Sequence, residues 1–152
     1  MCGGVVLIAV PWMAILQTAC SRADVHSVDR EEDNGNIMQI HYLEIVTPDV
    51  EASIALYSKI HGISFGSADK NFGNAHIAKL PNGGTLGIRA PMRDTETPVV
   101  RPYFLVQDIE AAVAIAASSG AEIAMTATEI PGHGQFAIVV QGGIESGLWQ
   151  VK

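Results

Sequence analysis

The segment QIHYLEIVT, residues 39–47, is crowded with β-branched and aromatic side chains, as a strand requires, and from Val50 the apolar positions change their spacing. Val50, Ile54, Tyr57 and Ile60 mark one face of a helix, with Thr47 as its N-cap, Pro48 at its first position and Gly62 ending it in a left-handed cap. Three short extended segments follow, at 63–65, 74–80 and 85–89, the last two joined through the hairpin sequence Pro81-Asn82-Gly83-Gly84. After a polar linker, APMRDTETP at 90–98, the order returns: a strand over 100–106, then a helix over 108–119 ended by Gly120. Extended segments follow at 121–125, 135–140 and 147–151, with glycine-rich turns at PGHG 131–134 and QGG 141–143.

The recurrence is close to literal where each helix begins. DVEASIAL at 49–56 reappears as DIEAAVAI at 108–115, with four identities and three aliphatic exchanges in eight positions. The repeating unit is therefore a strand, an acid-capped helix and three strands, written twice at an offset of 59 residues. Residues 38–152 form one α+β domain of two modules, about 39–90 and 99–151, and a ligand is expected at the interface of the halves.

Composition narrows the chemistry. With 152 residues, 48% hydrophobic and 16% charged, the chain can bury a core and is not of the disordered class. The formal charge of −7, with Lys and Arg scattered singly, offers no basic stripe for nucleic acid. Both cysteines, Cys2 and Cys20, precede the repeats, which leaves the modules without a disulfide, a thiolate nucleophile or a cysteine metal site. Residues 1–37 read as an N-terminal extension outside the folded domain. Their apolar run, GVVLIAVPWMAILQTA at 4–19, has the length of a signal core with small residues near Ala19 and Ala23, yet no Lys or Arg precedes it. Pro11 interrupts it, and it falls short of the roughly 20 residues of a spanning helix. The favoured expectation is a start at Met38 and a cytoplasmic protein with no membrane span; the alternative is a genuine leader and export.

A doubled βαβββ unit whose helices begin D-x-E-A resembles the vicinal oxygen chelate superfamily, the glyoxalase/bleomycin-resistance/dioxygenase group. Over residues 39–151, YLEIVTPDVEA, LPNGGTLGI, PYFLVQDIEAA, EIPGHGQFAI and GLWQ are similar to its single-domain glyoxalase-like members. The resemblance implies an eight-stranded, cup-shaped mixed sheet and a homodimer. In metal-dependent members it implies a divalent ion held by His, Glu or Gln from four cup strands. At the matching positions this chain has Tyr42, Gly87, Arg101 and Gly147, so no metal and no other cofactor is expected.

The expected cup lining is Tyr42 and Glu44 from the first strand, Arg101 and Tyr103 from its repeat partner, Trp149 near the end and His133 overhanging the mouth. The offset sets Tyr42 against Arg101 and Glu44 against Tyr103 across the pseudo-twofold axis. An arginine among aromatic rings suits a carboxylate or enolate; the competing reading is an ion pair between Arg101 and Glu44. His41 is expected on the opposite face from Tyr42 and His61 at a helix C-terminus, while the facing of His76 is open. GISFG at 62–66 has the letters of a nucleophile elbow but follows a helix instead of a strand, and no phosphate-binding loop or dinucleotide fingerprint is present. The expected function is binding of a small organic molecule, an anion among the candidates, with no catalytic residue assigned. Two alternatives stand beside it: a metal-dependent lyase, isomerase or dioxygenase, and a resistance-type protein that sequesters its ligand.

Overall fold

In a computed structural model, which describes residues 38–81 and 83–152, strand β1 (Ile40–Val46) leads into helix α1 (Val50–His61) and then β2 (Ala68–Asp69), β3 (Ala75–Lys79) and β4 (Thr85–Arg89). The second half repeats the order as β5 (Val99–Leu105), α2 (Ile109–Ser118), β6 (Glu122–Ile130), β7 (Gly134–Gln141) and β8 (Ile144–Gln150). The expectations for residues 1–37 lie outside the described residues. Among the described residues, eight strands form one mixed sheet in the order β2-β3-β4-β1-β5-β8-β7-β6, which reads the same from either edge once the modules are exchanged. Each opening strand pairs in parallel with the last strand of its own module, and β1 meets β5 antiparallel at the centre. The two βαβββ modules expected from the repeat are thus joined edge to edge.

Alternation along the strands divides the side chains between two layers. Ile45, Leu86 and Ile88 point away from the cup and pack with Leu43, Val50, Ile54 and Tyr57, which holds α1 on its side of the sheet. Complete burial of one such isoleucine contributes about 1.5–3 kcal/mol. Ile60, expected on the same helical face, is 64% exposed. At about 100° per residue it lies roughly 80° around the helix from Val50, beyond the seam.

Other boundaries move for local reasons. Thr47 Oγ1 accepts the Asp49 N–H at 3.1 Å, so the Thr-Pro-Asp turn precedes the helix and Asp49, not Thr47, is the N-cap residue. Gly62 closes α1 at φ 64°, in the left-handed region the sequence requires there. At α2, Asp108 Oδ1 accepts the Ala111 N–H at 3.0 Å, and Gln150 Oε1 takes the Ile109 N–H at 2.8 Å, tying the end of the last strand to the helix start. Residues 63–65 are not a strand: Ile63 and Phe65 tuck into the layer beneath α1, and pairing with β3 falls at β2 instead. A short 3-10 turn at Lys70–Phe72, capped by Asp69, was not expected. Strand β6 runs through to Ile130, so PGHG forms the hairpin into β7. Among the described residues no helix is long and apolar enough to cross a membrane.

Candidate functional site

One face of the sheet carries a cavity of about 180 Å³, lined by aromatic rings and by charged side chains. Tyr42, Tyr103 and Trp149 are each at least 97% buried and pack with Ile130, Phe72, Phe136 and Ile138. The 3-10 turn places Phe72 parallel to Trp149 at 6.0 Å and edge-on to His133 at 4.8 Å, so a residue of the first module packs against the second.

Five of the six expected lining residues, Tyr42, Glu44, Arg101, Tyr103 and Trp149, meet in this cavity. His133 does not join the lining; it is exposed, and its backbone carbonyl accepts the Trp149 indole N–H at 3.3 Å. The pairings across the centre also differ from the repeat offset. Because β1 and β5 run antiparallel, Tyr42 neighbours Tyr103 and Glu44 neighbours Arg101, whereas the 59-residue offset relates Tyr42 to Arg101. A register shift between Ile40 and Tyr42 brings the His41 ring to 5.4 Å from Trp149, which is how two consecutive residues of β1 reach the same indole. Burial, helped by nearby Lys79, lowers the His41 pKa below its ordinary value, so the ring stays neutral.

Glu44 bridges two arginines. Arg89 Nε donates to Glu44 Oε1 at 2.7 Å, and Arg101 Nη1 donates to Glu44 Oε2. Arg101 also donates from Nε to Glu145 Oε2 at 2.8 Å and from Nη2 to the same oxygen. Arg89 is clasped from its other side by Glu96, with Nη1 to Oε2 at 2.9 Å and Nη2 to Oε1 at 2.6 Å. Burial opposes the charge on both guanidiniums, but the carboxylates outweigh it and raise both pKa values. The ion pair of Arg101 with Glu44 is therefore present, within a network of three glutamates and two arginines.

Arg89, Glu96 and Glu145 were not singled out in the sequence, although two of them carried a signal. Arg89 shares strand parity with Gly87, which faces Glu44 in the parallel register of β1 and β4. Glu145 shares parity with Gly147 and Trp149 once β8 is seen to begin at Ile144. Glu96 lies in the linker, where no periodicity assigns a direction.

Each of the two tyrosines covers a glycine, but with a different end of its ring. Tyr42 lies over Gly87 so closely that a Cβ there would overlap its hydroxyl oxygen, with Cε2 and Cζ at 2.7 Å. A Cβ on Gly147 would overlap Cδ1, Cε1 and Cγ of Tyr103. Burial and then Glu44 raise both phenol pKa values, so both hydroxyls stay protonated. Tyr103 donates to Glu44 Oε2 at 3.3 Å, while the buried Tyr42 hydroxyl has no hydrogen-bond partner among the described residues. Among the described residues no group of three or more His, Cys, Asp or Glu is arranged to hold a metal ion.

The Arg89 hydrogen bond holds the Glu96 carboxyl down at about 2, below the ordinary 4.5, against an opposing contribution from burial. Because the folded value is the lower one, this stabilisation is complete above about pH 4.5 and disappears as pH falls toward 2. Glu96→Gln should remove on the order of 3 kcal/mol at pH 7 and flatten the acid limb of the stability curve between those values, as followed by denaturant titration across pH. An acid limb as steep as that of the parent protein would contradict the assignment.

No protein-family model matches the chain, and no curated protein matches it. Solved structures do match. A methylmalonyl-CoA epimerase from Mycobacterium tuberculosis is 16% identical with TM-score 0.60, over 74% of this chain and 87% of that one. A hypothetical protein from Bacillus halodurans is 12% identical with TM-score 0.61, over 77% and 96%. A Streptomyces coelicolor methylmalonyl-CoA epimerase variant in complex with 2-nitronate-propionyl-CoA is 14% identical with TM-score 0.56, over 76% and 96%. The chain has the vicinal oxygen chelate fold.

Proposed function

We propose that the cup binds a small organic molecule with a largely apolar body and a hydrogen-bond acceptor, and that it does so without a resident metal. The observation that carries this reading is Tyr42, a residue of the cavity wall whose buried, protonated hydroxyl lies against Gly87 with no acceptor among the described residues. Leaving such a group unpaired costs about 1–3 kcal/mol, which a ligand carbonyl or hydroxyl recovers. Phe72, Phe136 and Trp149 supply apolar faces beside it. The similarity to epimerases, one of which holds a nitronate-propionyl-CoA, supports a cup that admits an organic ligand; at this identity it does not carry over the reaction.

The donor set does not fit the divalent ion of the metal-dependent members. Gly87 and Gly147 have no side chain to offer, and the rings of Tyr42 and Tyr103 occupy the space a ligating side chain would need. The acids of the cup, Glu44, Glu96 and Glu145, already neutralise two guanidiniums that would repel a cation.

The test uses calorimetric titration of the full chain with benzamide, which has a ring and a carbonyl, against toluene, which lacks the acceptor. Benzamide should bind more tightly, and Tyr42→Phe should weaken benzamide alone by about two- to tenfold. Equal affinity of the two probes, or an unaltered benzamide affinity in the variant, would refute the role of Tyr42. A stoichiometric transition metal retained through purification would instead support the metal-dependent enzyme.

A further inference from the structure

The carboxylates that hold the two buried arginines differ in how firmly the fold fixes them. Glu44 stands on the central strand and Glu145 on β8, so the sheet sets both backbones. Glu96 comes from the linker between the modules, which pairs with no strand. It nevertheless makes the two-pronged clasp on Arg89, accepts the Met92 N–H at 2.7 Å, and stands 3.9 Å from Arg101 Nη2. Arg89, Arg101, Glu96, Met92 and Arg93 all line the cavity. The side chain of a surface linker thus reaches into the cup and occupies, in the two-oxygen geometry that a planar guanidinium matches best, the Nη1 and Nη2 donors of a buried arginine.

We propose that Glu96 stands in for the carboxylate of the ligand: a monocarboxylic acid with an apolar body enters the cup, its carboxylate takes the place of Glu96 on Arg89, and the linker bearing Met92 and Arg93 moves away from the mouth. The proposal rests on the cup being a small-molecule site and adds the charge of the molecule. It follows from charge conservation. The network holds Arg89 and Arg101 against Glu44, Glu96 and Glu145, and exchanging one carboxylate for another leaves both buried cations neutralised. A neutral molecule that displaced Glu96 would leave Arg89 with Glu44 alone, an outcome that burial strongly disfavours. Neutral ligands therefore bind with the linker closed, and carboxylates with it open. Glu96 also acts as a tethered competitor whose effective concentration sets the threshold a carboxylate must exceed.

Benzoate and benzamide, alike in shape and different in charge, separate these states. By calorimetry, Glu96→Gln should bind benzoate at least about tenfold more tightly than the parent protein, because the competitor is gone. In the parent protein, saturating benzoate should shift the Met92 amide proton–nitrogen resonance, whose acceptor has left, while benzamide leaves it in place. Benzoate affinity that is unchanged or lower in Glu96→Gln, or benzoate binding with the Met92 amide unmoved, overturns the proposal. The Met92 measurement needs no variant and decides the matter if Glu96→Gln does not fold. Benzamide binding without any benzoate response removes this inference and leaves the cup as a binding site, whereas silence from both probes in both proteins removes the two together.

Discussion

Glu44→Gln should destabilise the protein by about 3–5 kcal/mol, the cost of leaving buried charges without their counter-ion. Glu44 is 6% exposed and, among the described residues, is the one carboxylate hydrogen-bonded to both Arg89 and Arg101, themselves 2% and 5% exposed. Its replacement weakens both guanidiniums at once, and the amide that remains offers only one acceptor where two are needed. The measurement is chemical denaturation at pH 7. A variant that replaces the whole network, Glu44→Leu, Arg89→Met and Arg101→Met with Glu96→Gln and Glu145→Gln, separates uncompensated charge from the net worth of the network: it should recover most of the loss, since apolar or neutral replacements of a buried ionic cluster are often neutral. A Glu44→Gln protein within about 1 kcal/mol of its parent would show that water reaches the cluster and screens it, as for a surface pair.

Gly147→Ala should lower the melting temperature by on the order of 10 °C, and Gly87→Ala by less, although both glycines lie under tyrosine rings. The difference comes from which end of the ring is struck. At Gly147 a methyl group meets Tyr103 at Cγ and Cδ1, atoms held close to the backbone, so relief requires the whole side chain to leave its rotamer. At Gly87 the methyl group meets the Tyr42 hydroxyl first, and a tilt of the ring moves that end furthest. Shortening Tyr42 to Leu in the Gly87→Ala background should therefore restore part of the loss. Calorimetric scans of the two glycine variants check the ranking; equal losses, or the larger one at Gly87, would contradict it.

Much of the fold was legible because it depends on local spacing repeated twice. The change from strand to helical spacing at Val50, the recurrence of D-x-E-A at Asp49 and Asp108, and the left-handed stop at Gly62 each need only neighbouring residues. They led to the two βαβββ modules that the strand order displays. Parity along those strands also brought Tyr42, Glu44, Arg101 and Tyr103 to one cavity, since alternation is a property of any strand.

The partners of those residues were settled by tertiary structure. The 59-residue offset in sequence matches Tyr42 with Arg101, but an antiparallel centre sets Glu44 beside Arg101, because strand direction reverses the order of neighbours. Phe72 reaches Trp149 through a 3-10 turn that no periodicity foreshadows. Glu96 is the clearest case. In APMRDTETP it is one acid in a polar linker, and nothing nearby gives it a direction; it acquires one only when folding buries the guanidiniums of Arg89 and Arg101 and their charge draws a carboxylate out of the loop. Local spacing decides which face a side chain takes, whereas the desolvation of charge, which exists only after the halves have closed, decides what it must bind.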